Sequence, residues 1–283
     1  MAVTKFLARF IAAMTTLVGF ANLAMAEPVA GQPVPWQMGF QKAATPVMVE
    51  MNEFHNLVLV ITTVITVFVL GLLIYVMVKF NAKANPTPSR TTHNTVVEVL
   101  WTVVPVIILV VIAVPSFKLL YHAVEVPEAD MTVKAIGQSW QWEYEYPEEG
   151  FEFVAYMLQE DELAEGQPRL LATDNALVVP AGKIIRVQVT SDDVIHAWAV
   201  PSFGVKVDAM PGRLNEVWFK VDEPGTYYGQ CSELCGANHS FMPIEVRVVN
   251  EAEYQAWLVT AREEYDEIAG FRDTMEVADA DQR

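Results

Sequence analysis

Two long apolar runs set the pattern of the first half of the chain. From Phe54 to Val78, and again from Val96 to about Leu120, Leu, Val, Ile and Thr follow one another almost without charge. Each run exceeds the ~20 residues that a helix needs to cross a bilayer. The pattern predicts a two-helix transmembrane hairpin over residues 54–121, with helices at 54–78 and 96–120 and a loop at 79–95. Lys79, Lys83 and Arg90 fall in that loop, whereas Glu50 and Glu53 precede the first run. The excess of basic residues puts the loop in the cytoplasm. Pro86 and Pro88 keep it from becoming helical, and Pro105 and Pro115 inside the second run predict a kink. Glu98 is the odd residue of that run. A carboxylate there is costly unless it faces protein or water, or extends toward the headgroups.

Ahead of the hairpin, residues 1–26 carry Lys5 and Arg9, then an apolar core from Phe10 to Leu23, then Ala24-Met25-Ala26. That order predicts a signal peptide cleaved before Glu27. Residues 27–53 form an exported segment, irregular where Pro28, Pro33, Pro35 and Pro46 punctuate it.

Behind the hairpin the period changes. Residues 122–250 break into short β-rich runs separated by Pro and Gly: 131–136, 140–146, 176–179, 184–189, 197–200, 216–221, 225–229 and 244–249. Strands at that spacing predict a sandwich or barrel. In Trp140-Gln141-Trp142-Glu143-Tyr144-Glu145-Tyr146 every even position is aromatic, so a strand would put all four rings on one face. Most of them read as core, and a ring left at the surface would touch a partner. Over residues 251–283 a helix follows, opened by a capping box of Asn250 and Glu253. Its apolar stripe is Tyr254, Trp257, Leu258, Ala261, Tyr265 and Ile268. The acidic end, from Asp273 to Arg283, is expected to be disordered.

Composition sharpens this division. The chain is 53% hydrophobic with a mean hydropathy of +0.26, too apolar for an ordinary soluble domain and too polar for a protein wholly in the membrane. The net charge of -17 is uneven: residues 1–121 carry +3 and residues 122–283 carry -20. So acidic a domain repels nucleic acid and attracts basic partners.

Both cysteines lie in Cys231-Ser232-Glu233-Leu234-Cys235-Gly236-Ala237-Asn238-His239-Ser240-Phe241-Met242. Thiolate, imidazole and thioether suit copper far better than magnesium or calcium, which prefer oxygen. A single blue copper uses one thiolate, and two thiolates bridging two metals would use both. His196 is the natural second imidazole. Met242 and a backbone carbonyl within the loop would complete the weak axial donors. A Cys231–Cys235 disulfide is the plain alternative in an oxidising compartment, although it would constrain the unfolded chain little and would leave His239 and Met242 unexplained. Zinc is a further alternative, but structural zinc sites seldom use methionine and favour a closer cysteine spacing.

Taken together, the hairpin with Glu98-Val99-Leu100-Trp101, the strand Gln138-Ser139-Trp140-Gln141-Trp142 and the segment from Gly229 to Met242 resemble subunit II of a haem-copper cytochrome c oxidase of the aa3 type. The resemblance implies a transmembrane hairpin joined to an all-β, cupredoxin-like Greek-key barrel in the periplasm of a bacterial inner membrane. It implies the dinuclear copper centre CuA, two copper ions per chain, on His196, Cys231, the carbonyl of Glu233, Cys235, His239 and Met242. It further implies a magnesium ion on the Glu233 side chain at the interface with subunit I. Trp140 would be the tryptophan that admits electrons from cytochrome c, and Glu98 the acid at the mouth of a proton-conducting path. Glu143, Glu145, Glu152, Asp174, Asp192 and Asp193, which flank Trp140 or precede His196, are the expected docking acids. The subunit would not be catalytic alone: oxygen reduction and proton pumping belong to the complex with subunit I. The family's quinol-oxidizing relatives lack the copper ligands, and a nitrous oxide reductase would carry the loop on a large second domain. A membrane-anchored copper chaperone would keep its metal exchangeable.

Overall fold

The computed structural model describes residues 31–280, so the expected signal peptide lies outside the described residues. The chain divides into two compact units, one of residues 46–127 and the other of the β-rich region with the segment that precedes Pro46.

The first unit is a helical hairpin. Helix α1 spans Pro46–Lys79 and helix α2 spans Thr95–Val124. Helix α1 starts eight residues ahead of the apolar run, with Pro46 in its first turn, where the missing N–H has no helical partner to lose. Helix α2 is capped by Asn94, whose side chain accepts the Val97 N–H at 3.2 Å. Glu98 closes the box, accepting the Asn94 N–H at 3.2 Å. The acid therefore has a local use at the helix start. The helix runs unbroken through Pro105 and Pro115. The apolar side chains of both helices face outward, the reverse of a water-soluble helix. Hydroxyls that would be orphaned in lipid bond back along the helix, as Thr66 does to the Thr62 carbonyl at 2.7 Å. At the other end of the hairpin, His122 Nδ1 lies 3.2 Å from Glu50 Oε2.

The second unit holds ten strands among the described residues: β1 (Met131–Gln138), β2 (Gln141–Tyr146), β3 (Phe151–Ala155), β4 (Leu177–Pro180), β5 (Ile184–Ser191), β6 (His196–Val200), β7 (Val205–Ala209), β8 (Asn215–Lys220), β9 (Gly225–Gln230) and β10 (Pro243–Val249). They form a five-stranded sheet in the order β3-β2-β1-β5-β8, a three-stranded sheet β4-β10-β9, and the pair β6-β7. Strands β3 and β7 extend the sequence reading. Both alternate, as Phe151, Phe153 and Ala155 are buried while Glu152 and Val154 are less so, but these short runs are interrupted by charge, at Glu152 in β3 and at Lys206 and Asp208 in β7.

The core lies between the sheets. Trp142, Tyr144 and Tyr146 turn inward together, at 0%, 1% and 0% exposure, as a two-residue period requires. Tyr146 stacks on Phe151 with centroids 4.9 Å apart, and its hydroxyl donates to the Val178 carbonyl at 2.9 Å, tying one sheet to the other. Helix α3 (Glu251–Ala280) covers the barrel with Tyr254, Leu258, Ala261 and Tyr265. Its start is the reciprocal box read from the sequence: Glu253 N–H donates to Asn250 Oδ1 at 3.0 Å and Asn250 N–H to Glu253 Oε2 at 3.3 Å. The helix continues to Ala280, past the point where the acidic end was expected to lose structure. That end contains no proline to stop it.

Candidate metal centre

Three backbone segments converge at one end of the barrel. Strand β6 opens with His196, strand β9 ends one residue before Cys231, and β10 begins one residue after Met242. The intervening loop is pinned at both ends. Cys231 N–H donates to the Met242 carbonyl at 2.9 Å, and Ser232 N–H to the Ala197 carbonyl at 3.0 Å. The β9 backbone presses so closely on β6 that a Cβ at Gly229 would stand 1.9 Å from the Ala199 carbonyl oxygen. Only glycine allows that approach.

The donor atoms form a chain. His196 Nδ1 is 3.8 Å from Cys231 Sγ, which is 3.7 Å from Cys235 Sγ, which is 3.5 Å from His239 Nδ1. The Glu233 carbonyl oxygen stands 3.4 Å from Cys231 Sγ. Met242 is fully buried. Both cysteines are thiols rather than a disulfide. His196, Cys231 and Cys235 can direct one ligand atom each into a common space. Two sulfurs side by side, an imidazole beyond each and a carbonyl nearby form a donor set that fits two soft or borderline metal ions, with a sulfur pair between them. The Glu233 side chain is exposed.

His196 is held from behind. It is wholly buried, and its Nε2 lies 2.8 Å from Asp193 Oδ1. A carboxylate there fixes the tautomer that leaves Nδ1 free as a ligand. Asp193 also accepts the Ser139 N–H at 2.8 Å and the Val194 N–H at 2.6 Å. Partial burial pushes its carboxyl up, but hydrogen bonds from Ser139, His196 and Val194 outweigh this and hold it well below the usual range. Burial lowers the His196 imidazole, yet hydrogen bonds to Cys231 and Asp193 leave it raised overall. Burial pushes the Cys231 thiol up, but His196 and the backbone N–H of Ala197 more than reverse this. Burial and the neighbouring Cys231 charge keep the Cys235 thiol high. Metal binding at such a pair must displace a proton.

Trp140 is half-buried beside the loop. Its Nε1 donates to the Cys235 carbonyl at 3.3 Å, and its ring lies 3.1 Å from where a Cβ of Gly236 would be. Gly236 has φ of 123°, a conformation closed to other residues. Trp140 lines an open cleft of about 530 Å³ with Tyr156, Met157, Asn238 and Phe241.

The expected docking acids fall at several places on the β-rich unit. Glu143, Glu145 and Glu152 form one group, with Lys134 paired to Glu145 at 2.8 Å. Gln138 Nε2 donates to both Glu143 and Asp192. Asp174 accepts the Tyr156 N–H at 2.7 Å. Asp193 differs from the rest in what it holds, because one of its oxygens faces the His196 imidazole. Its role behind His196 was missed from the sequence, although the Asp193-x-x-His196 spacing was there to read. Glu98 belongs to the helical unit.

Two family models cover the chain: "Cytochrome C oxidase subunit II, periplasmic domain" matches residues 131–249, and the corresponding "transmembrane domain" matches residues 33–119. A probable cytochrome c oxidase subunit 2 of Rickettsia bellii is 48% identical over 252 residues, covering 89% of this chain and 93% of the relative. The chain belongs to the cytochrome c oxidase subunit II family. The subunit 2 of Cereibacter sphaeroides is 46% identical over 252 residues, 83% of each chain. The solved periplasmic domain of subunit II of the Bradyrhizobium japonicum cytochrome oxidase is 56% identical, spanning 50% of this chain and 99% of that one, with a TM-score of 0.47. Membership makes this a membrane-bound subunit of an oxidoreductase complex, with a periplasmic β domain of the cupredoxin-like type. The family implies copper of the CuA kind, and the His196, Cys231 and Cys235 cluster is consistent with it.

Proposed function

We propose that this chain is the electron-accepting subunit of a cytochrome c oxidase of a bacterial inner membrane, multi-pass, with the 79–95 loop in the cytoplasm. The observation that carries the proposal is the donor chain from His196 through Cys231 and Cys235 to His239, with no disulfide between the sulfurs. His196, Cys231, the Glu233 carbonyl, Cys235, His239 and Met242 would hold the two coppers. When bound, the copper pair supplies one-electron transfer between cytochrome c and the haem of subunit I, where oxygen is reduced with proton pumping.

The protein's own part is to hold and to orient. A one-electron carrier works best when its ligands barely move. The barrel contributes this by burying His196, by the Asp193 hydrogen bond, and by the two backbone bonds that pin the loop. Trp140, bonded to the Cys235 carbonyl, would admit the electrons, and the acids of the domain would favour a basic cytochrome. That attraction weakens with salt, since the Debye length is about 10 Å at 0.1 M. The exposed Glu233 carboxylate would serve a magnesium ion shared with subunit I. Glu98 would assist proton uptake in addition to capping its helix, and unchanged turnover of the Glu98→Ala oxidase would leave it the cap alone.

The deciding experiment is electron paramagnetic resonance on the oxidised complex. One unpaired electron shared by two copper nuclei gives a hyperfine pattern that a single copper cannot, and a single-copper pattern would refute the proposal. Trp140→Phe should then slow reduction by cytochrome c while leaving that spectrum intact. Equal stopped-flow rates would remove Trp140 from the path.

A further inference from the structure

Gly137 lies inside strand β1, where glycine weakens a strand and usually marks a close approach by something else. Its backbone does not explain it, because its φ is not among the positive ones. Its surroundings do. A Cβ built on Gly137 would stand 2.9 Å from Cδ2, 3.0 Å from Cγ and 3.1 Å from Cβ of His196. Real Cβ atoms do not approach a ring that closely, and this ring cannot give way. One nitrogen faces Asp193 at 2.8 Å and the other faces Cys231 at 3.8 Å.

The neighbouring strands make the confinement specific. Gly137 is opposite Trp142 on β2 and Ser191 on β5. Residues directly opposite in an antiparallel pair share a face, so the missing side chain and the Trp142 ring lie next to each other beneath the imidazole. Trp142 meets His196 edge to face, with centroids 6.1 Å apart and planes at 63°. The Gly137 carbonyl accepts the Asp192 N–H at 3.2 Å, which anchors the loop carrying Asp193. One residue therefore sets the ring's depth by having no side chain, and steadies the loop behind it through its backbone.

We propose that Gly137 is a positioning residue for the copper pair: with Trp142 it forms the seat that fixes how far the His196 imidazole stands from the Cys231 sulfur. This rests on the reading of His196 as a copper ligand. A methyl group at position 137 pushes the ring out of its seat, whereas shrinking Trp142 opens room beside it.

The test compares whole oxidase complexes carrying wild-type subunit, Gly137→Ala, Gly225→Ala, and Gly137→Ala with Trp142→Phe. Gly225 serves as control because it also lies in a strand but its added Cβ would meet nothing closer than 3.7 Å. Copper per haem, copper retention against a chelator and the paramagnetic resonance spectrum are read for each. Gly137→Ala should alter the hyperfine pattern and lower copper retention by about tenfold or more, the scale of lost outer-shell support. Gly225→Ala should match wild type, and the double variant should regain much of the native spectrum. A native spectrum and retention in Gly137→Ala, or equal losses in Gly225→Ala, overturns the inference. If Gly137→Ala fails to assemble, a double variant that assembles with paired coppers supports it, and one that also fails overturns it, since the glycine then serves the fold. A wild-type complex without paired coppers overturns the reading of the site, and this inference with it.

Discussion

His196 and His239 flank the same pair of sulfurs, yet the barrel holds one and a short turn holds the other. His196 opens a strand, is fully buried and is backed by Asp193, Gly137 and Trp142. His239 begins a 3₁₀ turn, His239–Phe241, in a loop whose neighbouring residues are largely exposed. The difference teaches that the centre has a framework side and a solvent side. Rigidity comes from the first; on the proposed reading the second would give access to an electron donor, and there Trp140 lies on the Cys235–Gly236 backbone.

The strongest way to break the comparison is to remove what the two sides share. Cys231→Ser should abolish the paired-copper signal altogether, because Cys231 Sγ stands between the His196 imidazole, at 3.8 Å, and the Cys235 sulfur, at 3.7 Å. Metal analysis of the assembled complex should find no mixed-valence pair. Two retained coppers with an unchanged spectrum would show that the sulfurs do not bridge.

A sharper contrast comes from removing each imidazole. His239→Gly and His196→Gly should both lose the native spectrum, but added imidazole should restore only the first. The site of His239 opens to solvent, whereas that of His196 is closed by strands and loop. Equal rescue of both variants would erase the distinction between the two sides.

The contrast also explains what could be read in advance. The chemistry of the loop was legible because it is local: Cys231, Cys235, His239 and Met242 fall within a dozen positions, and turn spacing suffices to gather them. The hairpin was legible for the same reason, since a bilayer demands long uninterrupted runs. The framework side is non-local. His196 meets Cys231 across 35 positions, and Gly137 meets His196 only because β1 and β5 pair in parallel and β5 leads into the turn before β6. Nothing in the local pattern marks Gly137 as the residue that lies against a buried histidine ring. Asp193 was read as a surface acid because an exposed acidic run looks the same whether its oxygens face water or an imidazole. Strands β3 and β7 escaped because their short runs are interrupted by charge, at Glu152 and at Lys206 and Asp208.

Asp193→Asn tests the framework side more gently. The amide keeps the volume but no longer offers a charged acceptor to His196 Nε2, so the ring loses its orienting partner. Copper affinity, measured by chelator competition, should fall about 10- to 100-fold. The fold should survive, because the amide oxygen can still accept the Ser139 or Val194 N–H. An unchanged affinity would mean that Gly137, Trp142 and the strand alone orient the ring.

The smallest effect is expected where the framework is altered without touching the site. Glu245 lies on β10, three residues beyond Met242, and is 9% exposed. Its Oε2 accepts the Thr173 N–H at 2.9 Å. Burial pushes its carboxyl up, and the Thr173 bond and the Arg247 charge only partly oppose this. A carboxyl raised in the folded state binds more protons there than in the unfolded chain, so its contribution to stability is fully present below the unfolded value of about 4.3. It is lost as pH rises through the folded value. Glu245→Gln removes the charge and keeps an acceptor for Thr173. Thermal melting of the full chain in detergent should therefore coincide for variant and wild type below about pH 4. Above it a gap should open, the variant melting a few degrees higher at neutral pH. The paired-copper spectrum should not change at any pH, since the substitution bears on the strand and not on a ligand. A gap that is largest in acid would reverse the sign of the argument, and a changed spectrum would show that the framework and the metal centre are less separable than their construction implies.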